Sequence, residues 1–279
     1  MAKLDELNRL YNSKDPNDII KFYDHFNTPE ELIEWSRNRP RGRAKIYTVK
    51  GNTDIVVVIP TADRHGKYAN NCENEIFKGQ QIVFVESGIG GDPYFNCARN
   101  SNIGLRYALR YKPKWLIMSN DDVYKIDDFS ILKSKLDRLK YRKIESVFIS
   151  PEPDYYHSYP ISLVKRTLAS KLYRGLSKNR RVEEKLLDKF DAPYSLIPIR
   201  KSLKTLFLKF IYHSLFNFNN VGDFSIFSSE FINAKNGKPF DETFISGWED
   251  PTLSLSLTHT SAVSFKIGSN KDNILGFFL

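Results

Sequence analysis

KWLIMSNDDVYKIDDF, residues 114–129, opens on an apolar run, Trp115-Leu116-Ile117-Met118, and ends it in Asn120-Asp121-Asp122. Four consecutive apolar residues bounded by polar ones read as a short strand buried on both faces, the kind found in parallel sheets covered by helices. The neighbouring segments repeat the pattern. DIVVVIP at 54–60 is a β-branched run stopped by a proline, QIVFV at 81–85 is another apolar strand, and SVFIS at 146–150 is a further one, closed by Pro151 and Pro153. Helix-like stretches lie between them: NNCENEIF at 70–77, NCARNSNIGLRYALRY at 96–111 and DFSILKSKLDRL at 128–139. In the second of these, Ala98, Asn102, Leu105 and Leu109 fall at helical spacing. The alternation predicts an α/β domain built on a mostly parallel sheet with crossover helices.

Ligands of such sheets bind beyond the carboxyl ends of the strands. Three polar clusters fall there: Pro60-Thr61-Ala62-Asp63-Arg64, Glu86-Ser87-Gly88 and Asn120-Asp121-Asp122. Two adjacent carboxylates at a strand end suit a hard cation such as Mg²⁺ or Mn²⁺, held partly by protein and partly by substrate phosphate. On these residues alone, a solvated Asp-Asp turn reads equally well.

Residues 1–50 read as an N-terminal extension of helices joined by polar loops. In NTPEELIEWSR, Thr28 stands as the cap, Pro29 at the first helical position, and Glu30 and Glu31 in the first turn. RNRPRGR at 37–43 ends that helix. The N-terminus lacks the apolar core of a signal peptide, and no segment has about 18 uninterrupted apolar residues. The two cysteines, Cys72 and Cys97, stand in different segments without metal-ligand spacing, which fits a reducing compartment. The five histidines are scattered and imply no metal site. SGIGG at 87–91 is glycine-rich but lacks the lysine of a phosphate loop and the full dinucleotide fingerprint.

The motifs in order resemble the nucleotide-sugar glycosyltransferases of the GT-A fold, in particular the inverting family 2. VVVIPTADR is similar to the first strand of that family and its Pro-Thr, and VFVESG to the second strand and its acidic end. CARNSNIGLRYAL resembles the helix start that follows, LIMSNDDV the metal-binding DXD element, and FDETFISGWEDPTLSLSL, residues 240–257, the closing Glu-Asp segment. The likeness covers about 54–129 and 223–257. It departs from the pattern in lacking an Arg shortly after the Glu-Asp pair and in carrying Glu86 where Asp is usual.

The resemblance implies a GT-A-type Rossmann-like domain over 51–279 and an inverting, metal-dependent hexosyltransferase. Its donor is a nucleoside-diphosphate sugar and its acceptor a hydroxyl of a glycan, lipid-linked or protein-linked. It implies Asp122 as the likeliest direct Mn²⁺ or Mg²⁺ ligand with Asp121 beside it, and Asn120 and Asp121 touching ribose, metal-bound water or sugar. Glu86 then accepts hydrogen bonds from the nucleobase in a pocket shaped by Pro60, Thr61 and Asp63, with Asn102 also at the donor site. Arg64 and Arg99 are candidates for forked contacts to phosphate. Asp250 becomes the base that takes the acceptor proton, with Glu249 its neighbour and Trp248 part of the sugar platform. Asp241 and Glu242 are expected to stabilise their loop.

An insertion at about 155–218 carries the basicity of the chain. Residues 165–209 hold 13 Lys/Arg and 4 Asp/Glu, whereas the remainder balances at 29 of each, so all of the +9 excess sits here. Its end, IRKSLKTLFLKFIYHSLFNF at 199–218, places Leu203, Leu206, Phe207, Phe210, Ile211 and Leu215 on one helical face. Lys201, Lys204 and Lys209 lie elsewhere. The stretch predicts a basic amphipathic helix that either packs on the sheet or docks, over 199–216, on an anionic membrane. A cytoplasmic protein, at most peripheral at the inner membrane face, is the corresponding expectation. No nucleic-acid-reading module is visible. The alternatives are a sugar-phosphate nucleotidyltransferase, whose basic Gly-rich N-terminal loop is missing here, and a non-catalytic membrane- or nucleic-acid-binding protein that keeps the fold.

Overall fold

A computed structural model describes residues 44–87, 96–140, 143–149, 160–165, 194–198, 216–219, 224–242 and 256–269, with single positions at 25, 27, 28, 31, 34, 38 and 253. The chain forms two compact units: Arg39–Ser158 with Val221–Asn273, and Met1–Asn38 with Tyr159–Asn220 and Ile274–Leu279.

The first unit is α/β. Its seven-stranded sheet contains β1 (Lys45–Val49), β2 (Asn52–Thr61), β3 (Gln80–Glu86), β4 (Trp115–Ser119), β6 (Ser146–Ile149), β10 (Phe224–Ser228) and β11 (Thr260–Val263). The spatial order is β1-β3-β2-β4-β10-β6-β11. β2 pairs in parallel with β3 and β4, and β6 in parallel with β11, while β1 and β10 run against their neighbours. Five strands thus point one way and two the other. The apolar runs account for the centre: Ile55 to Ile59, Ile82 to Val85 and Trp115 to Met118 are all buried, as strands covered on both faces must be. β5 (Val123–Lys125) leaves the main sheet and pairs with β12 (Ile267–Ser269) in a separate two-stranded ribbon.

Two cores form, one on each face. From β2 the chain moves one way to β3, through α1 (Lys67–Asn71) and a π turn (Cys72–Ile76). It then crosses β2 to reach β4, through α2 (Cys97–Ala108). Two crossovers of one hand that run in opposite directions lay their connections on opposite faces. Accordingly Ala69, Cys72, Ile76 and Phe77 join Val57, Ile59, Ile82 and Phe84 in one core. Ala98, Leu105 and Ala108 join Val56, Val58, Val83 and Val85 in the other. α3 (Phe129–Asp137), capped by the Asp128 side chain on Ser130 N–H, adds Phe129, Leu132 and Leu136 to the first core. α4 (Ser229–Ala234), capped by Ser228, adds Phe231 and Ile232 to the second. α2 sits close to the sheet because residue 104 is glycine. A Cβ there would stand 2.3 Å from Val58 Cγ1 and 2.8 Å from Val85 Cγ2.

Two sequence expectations need correction. Residues 45–49, placed within a helical extension, form the edge strand β1, paired with β3 from Lys45↔Glu86 to Val49↔Ile82. KIYTV is short and flanked by RNRPRGR and Lys50-Gly51, so its β-branched content was outweighed by the polar surroundings. The insertion is not wholly helical either. In the second unit, β7 (Pro160–Lys165) pairs antiparallel with β8 (Tyr194–Pro198) and with β9 (Phe216–Asn219). The end of the expected amphipathic helix is therefore strand, in keeping with the two-residue alternation of FNFN. Residues 199–215 lie outside the described residues. The expected N-terminal helix cap is present: Glu31 N–H donates to Thr28 Oγ1 at 3.3 Å, and Asn27 N–H to Glu31 Oε2 at 2.8 Å. Among the described residues no helix is long and apolar enough to cross a membrane.

Candidate functional site

The order β3-β2-β4 makes the carboxyl end of β2 a topological switch point, because the chain leaves β2 towards β3 and later returns on its other side as β4. Connections diverge there and leave a crevice, which is where open α/β sheets bind ligands. Thr61 ends β2 and pairs across the sheet with Glu86, the end of β3. Asn120, Asp121 and Asp122 follow the end of β4. The three polar clusters therefore stand side by side along one edge.

A hydrogen bond joins two of them directly. Thr61 Oγ1 donates to Asp121 Oδ2 at 2.6 Å, and Asp63 N–H donates back to Thr61 Oγ1 at 3.2 Å. The loop's backbone is fixed from the opposite side by the α1 and π-turn segment. The Cys72 thiol donates to the Asp121 carbonyl at 3.3 Å, and Asn71 Nδ2 to the Val123 carbonyl at 3.4 Å. Burial, with the charges of Asp121 and Asp122 behind it, pushes the Cys72 thiol far up, so it stays an S–H donor. π turns often mark functional sites, and here one places the thiol against the acidic loop.

Asp122 is withdrawn from water and Asp121 is half-buried. Asp122 is only 9% exposed, which excludes a solvated turn. Burial first, then the charge of Asp121, pushes its carboxyl up to about 6. Asp121 is also raised, chiefly by burial and further by Asp63, while the bond from Thr61 pulls it back. Side by side, these carboxylates favour the company of a cation. Oxygen donors select a hard metal, Mg²⁺ or Mn²⁺, over a thiophilic one. Among the described residues, no three His, Cys, Asp or Glu side chains converge to hold a metal by themselves. One or two carboxylates, with the remaining positions left to water and substrate phosphate, is the usual open arrangement for Mg²⁺. The donor set at Asp121 and Asp122 fits that kind of ion.

Glu86 is buried, 8% exposed, one strand away from Thr61. Its Oε2 accepts Arg64 N–H at 2.8 Å and its Oε1 accepts Tyr47 O–H at 3.3 Å. Pro60 is buried within β2, and Asp63 is exposed in the loop after it. The guanidinium of Arg64 bonds Glu73 and lies over the Phe84 ring, 4.1 Å from its centroid. It thus closes the first core rather than reaching towards the acidic loop. Arg99 stands in the first turn of α2, where its N–H is capped by Asn96 Oδ1 at 2.8 Å. That turn lies at the same sheet edge, because Asn100 Nδ2 reaches Ser87 Oγ at 2.5 Å.

Asn102 has a structural task. Its amide donates to the Phe240 carbonyl at 2.9 Å and to Glu242 Oε1 at 3.0 Å, and accepts Phe240 N–H at 3.1 Å. Asn96 Nδ2 adds a bond to the Glu242 carbonyl at 3.3 Å. Asn102, which sequence reading placed at the donor, thus joins Asn96 in tying the start of the closing segment to α2. The expected loop-stabilising place of Glu242 agrees with this. Trp248, Glu249 and Asp250 lie outside the described residues.

Sequence reading passed over Tyr47, Asn71 and Cys72 as site supports. Tyr47 was hidden by the misread edge strand. Asn71 and Cys72 act through backbone carbonyls about 50 residues further along the chain, a contact that no spacing announces. No protein-family model and no curated protein matches the chain.

Proposed function

We propose that the protein is an inverting glycosyltransferase of the GT-A type that moves a sugar from a nucleoside diphosphate to a hydroxyl acceptor. The observation that carries this reading is the bond from Thr61 to Asp121 Oδ2. It unites two motif segments 60 residues apart and sets a half-buried carboxylate, next to the buried Asp122, at the switch point of an α/β sheet. Asp122, with Asp121 beside it, would hold a divalent cation, which would supply Lewis-acid neutralisation of the leaving diphosphate.

The residues of the chain divide the remaining work. Thr61 orients Asp121, and Cys72 and Asn71 hold the backbone of that loop, so the carboxylates are fixed before substrate arrives. Glu86, an acceptor at the end of β3, takes N–H groups of the base. Asp250 removes the proton of the acceptor hydroxyl as its oxygen attacks the anomeric carbon, with Glu249 beside it and Trp248 against the sugar. The clamp from Asn96 and Asn102 to residues 240–242 anchors the segment that leads to these three. The acceptor class is a glycan or a lipid-linked or protein-linked hydroxyl, and the basic stretch at 199–216 is the candidate contact to an anionic membrane.

Thermal melting of the full chain with UDP-, GDP- and dTDP-sugars, each with and without Mn²⁺, tests the proposal. A ligand that binds the native state alone raises Tm by mass action. One donor is expected to raise Tm only when Mn²⁺ is present, and incubation with that donor should release nucleoside diphosphate. Release of pyrophosphate instead would mark a nucleotidyltransferase, and no response to any donor would remove the enzyme reading.

A further inference from the structure

Building on the glycosyltransferase reading, we propose that the acceptor is a carbohydrate and that one of its sugar rings stacks on the open face of Tyr124, just beyond the acidic loop.

Among the described residues, the exposed large apolar side chains are Tyr124 at 42%, Ile126 at 37% and Ile131 at 40%. All three fall in 124–131, a stretch that starts two residues after Asp122. Scattered apolar residues are ordinary on a surface, but a concentration of them beside a candidate site marks a contact surface. The most exposed of the three is also the most firmly held. Val123 enters the first core, so the pleat turns Tyr124 to the opposite face of the β5–β12 ribbon. There it pairs in register with Gly268 of β12. A Cβ built on that glycine would overlap Cζ, Cε1 and Cε2 of the tyrosine. The distal half of the ring therefore lies across Gly268 and buries it. Only glycine permits so close an approach of ring to strand. One face of the ring is taken up by the β12 backbone, and the other is left to solvent.

A flat aromatic wall, backed by a strand and wet on its outer side, suits a pyranose. One face of such a sugar is made of C–H groups, and its rim is hydroxyls. The C–H groups meet the electron-rich face of the tyrosine, the hydroxyls stay hydrated, and the phenol O–H at the outer end can bond one of them. The other acceptor classes fit less well. An alkyl chain needs a groove that encloses it, and a peptide is read by a row of backbone hydrogen bonds. A single ring face supplies neither. Distance agrees as well. Two residues separate Tyr124 from Asp122, about 7 Å along an extended chain, which one sugar residue can bridge.

Saturation-transfer NMR on the full chain reads this contact directly and needs neither donor nor metal. The probes are cellobiose, lactose, chitobiose and mannobiose, with 1-octanol and N-acetylserinamide standing for the lipid and protein classes. At least one disaccharide is expected to receive saturation, strongest on its ring C–H protons. Tyr124→Ala should weaken that binding about tenfold, the scale of one aromatic contact. Tyr124→Phe keeps the ring and should hold it within about threefold. Tyr124→Leu still covers Gly268 but has no π face, so it should lose binding as Ala does even where Ala disturbs the ribbon. No saturation of any disaccharide, or undiminished saturation in Tyr124→Leu, overturns the carbohydrate assignment. Nucleoside diphosphate release with Mn²⁺ and UDP-, GDP- or dTDP-sugar separates this from the reading beneath it. Release accelerated by octanol or the serine derivative but by no sugar overturns the proposal and leaves the transferase standing. Binding of a disaccharide through Tyr124 without release from any donor removes the transferase and leaves the contact.

Discussion

Asp122→Asn should make the ligand-free protein more stable and destroy its response to metal. Asp122 has a usual carboxylate value of 3.8 in the unfolded chain and about 6 in the folded one, because burial and Asp121 disfavour its charge. The folded state therefore holds the proton more tightly than the unfolded state. The sign follows: below about pH 3.8 the group costs nothing, and stability falls as pH rises from 3.8 to about 6. At about 1.36 kcal/mol per pH unit, the full penalty above about pH 6 is about 3 kcal/mol. An asparagine, neutral at every pH and of the same shape, escapes it. At roughly 2–4 °C per kcal/mol for a domain of this size, Tm should rise by about 6–12 °C at pH 7.5 and by almost nothing at pH 3.5. The assay is thermal melting of both proteins from pH 3.5 to 8 in chelator. The same variant should show no Mn²⁺-dependent stabilisation by a sugar nucleotide. A variant less stable than wild type at pH 7.5, or a gain that does not vary with pH, would refute the claim that the carboxylate is held at a cost in stability.

Three further outcomes follow from particular contacts. Thr61→Val removes the hydroxyl that orients Asp121; apparent Mn²⁺ affinity should fall about 10–100-fold, as for other residues that orient metal ligands, while Thr61→Ser retains most of it in the same titration. Gly104→Ala brings a methyl within 2.3 Å of Val58 Cγ1, so chemical denaturation should report a loss of about 1–3 kcal/mol. Asp250→Asn should leave metal-dependent donor binding intact and lower turnover at least about 100-fold, read by nucleoside diphosphate release.

The centre of the fold was legible because its strands are buried on both faces and so read as continuous apolar runs: Ile55 to Ile59, Ile82 to Val85 and Trp115 to Met118. The polar clusters that end these runs could be placed at one sheet edge from the alternation alone. Strand order was not legible. β10, FSIFS at 224–228, inserts antiparallel between β4 and β6, a partnership set by long-range pairing. β1 failed for the opposite reason to β2: as an edge strand it keeps exposed lysine and threonine, and nothing in KIYTV demands burial on two faces. Within the candidate site, Asp122 and Glu86 stand out in the sequence because carboxylates directly after apolar strands are conspicuous. Asn102 was assigned to the donor because its helix start resembles a motif, yet its amide is consumed by Phe240 and Glu242. Cys72 gave no sign, since a lone thiol in an amphipathic stretch looks like any small apolar residue.

The most direct test of the account is calorimetric titration of sugar nucleotide into wild type and Asp122→Asn, each with Mn²⁺ and with chelator. Binding is expected in a single arm, wild type with metal. Equal binding in chelator, or in the Asn variant with metal, would contradict a cation seat at the end of β4.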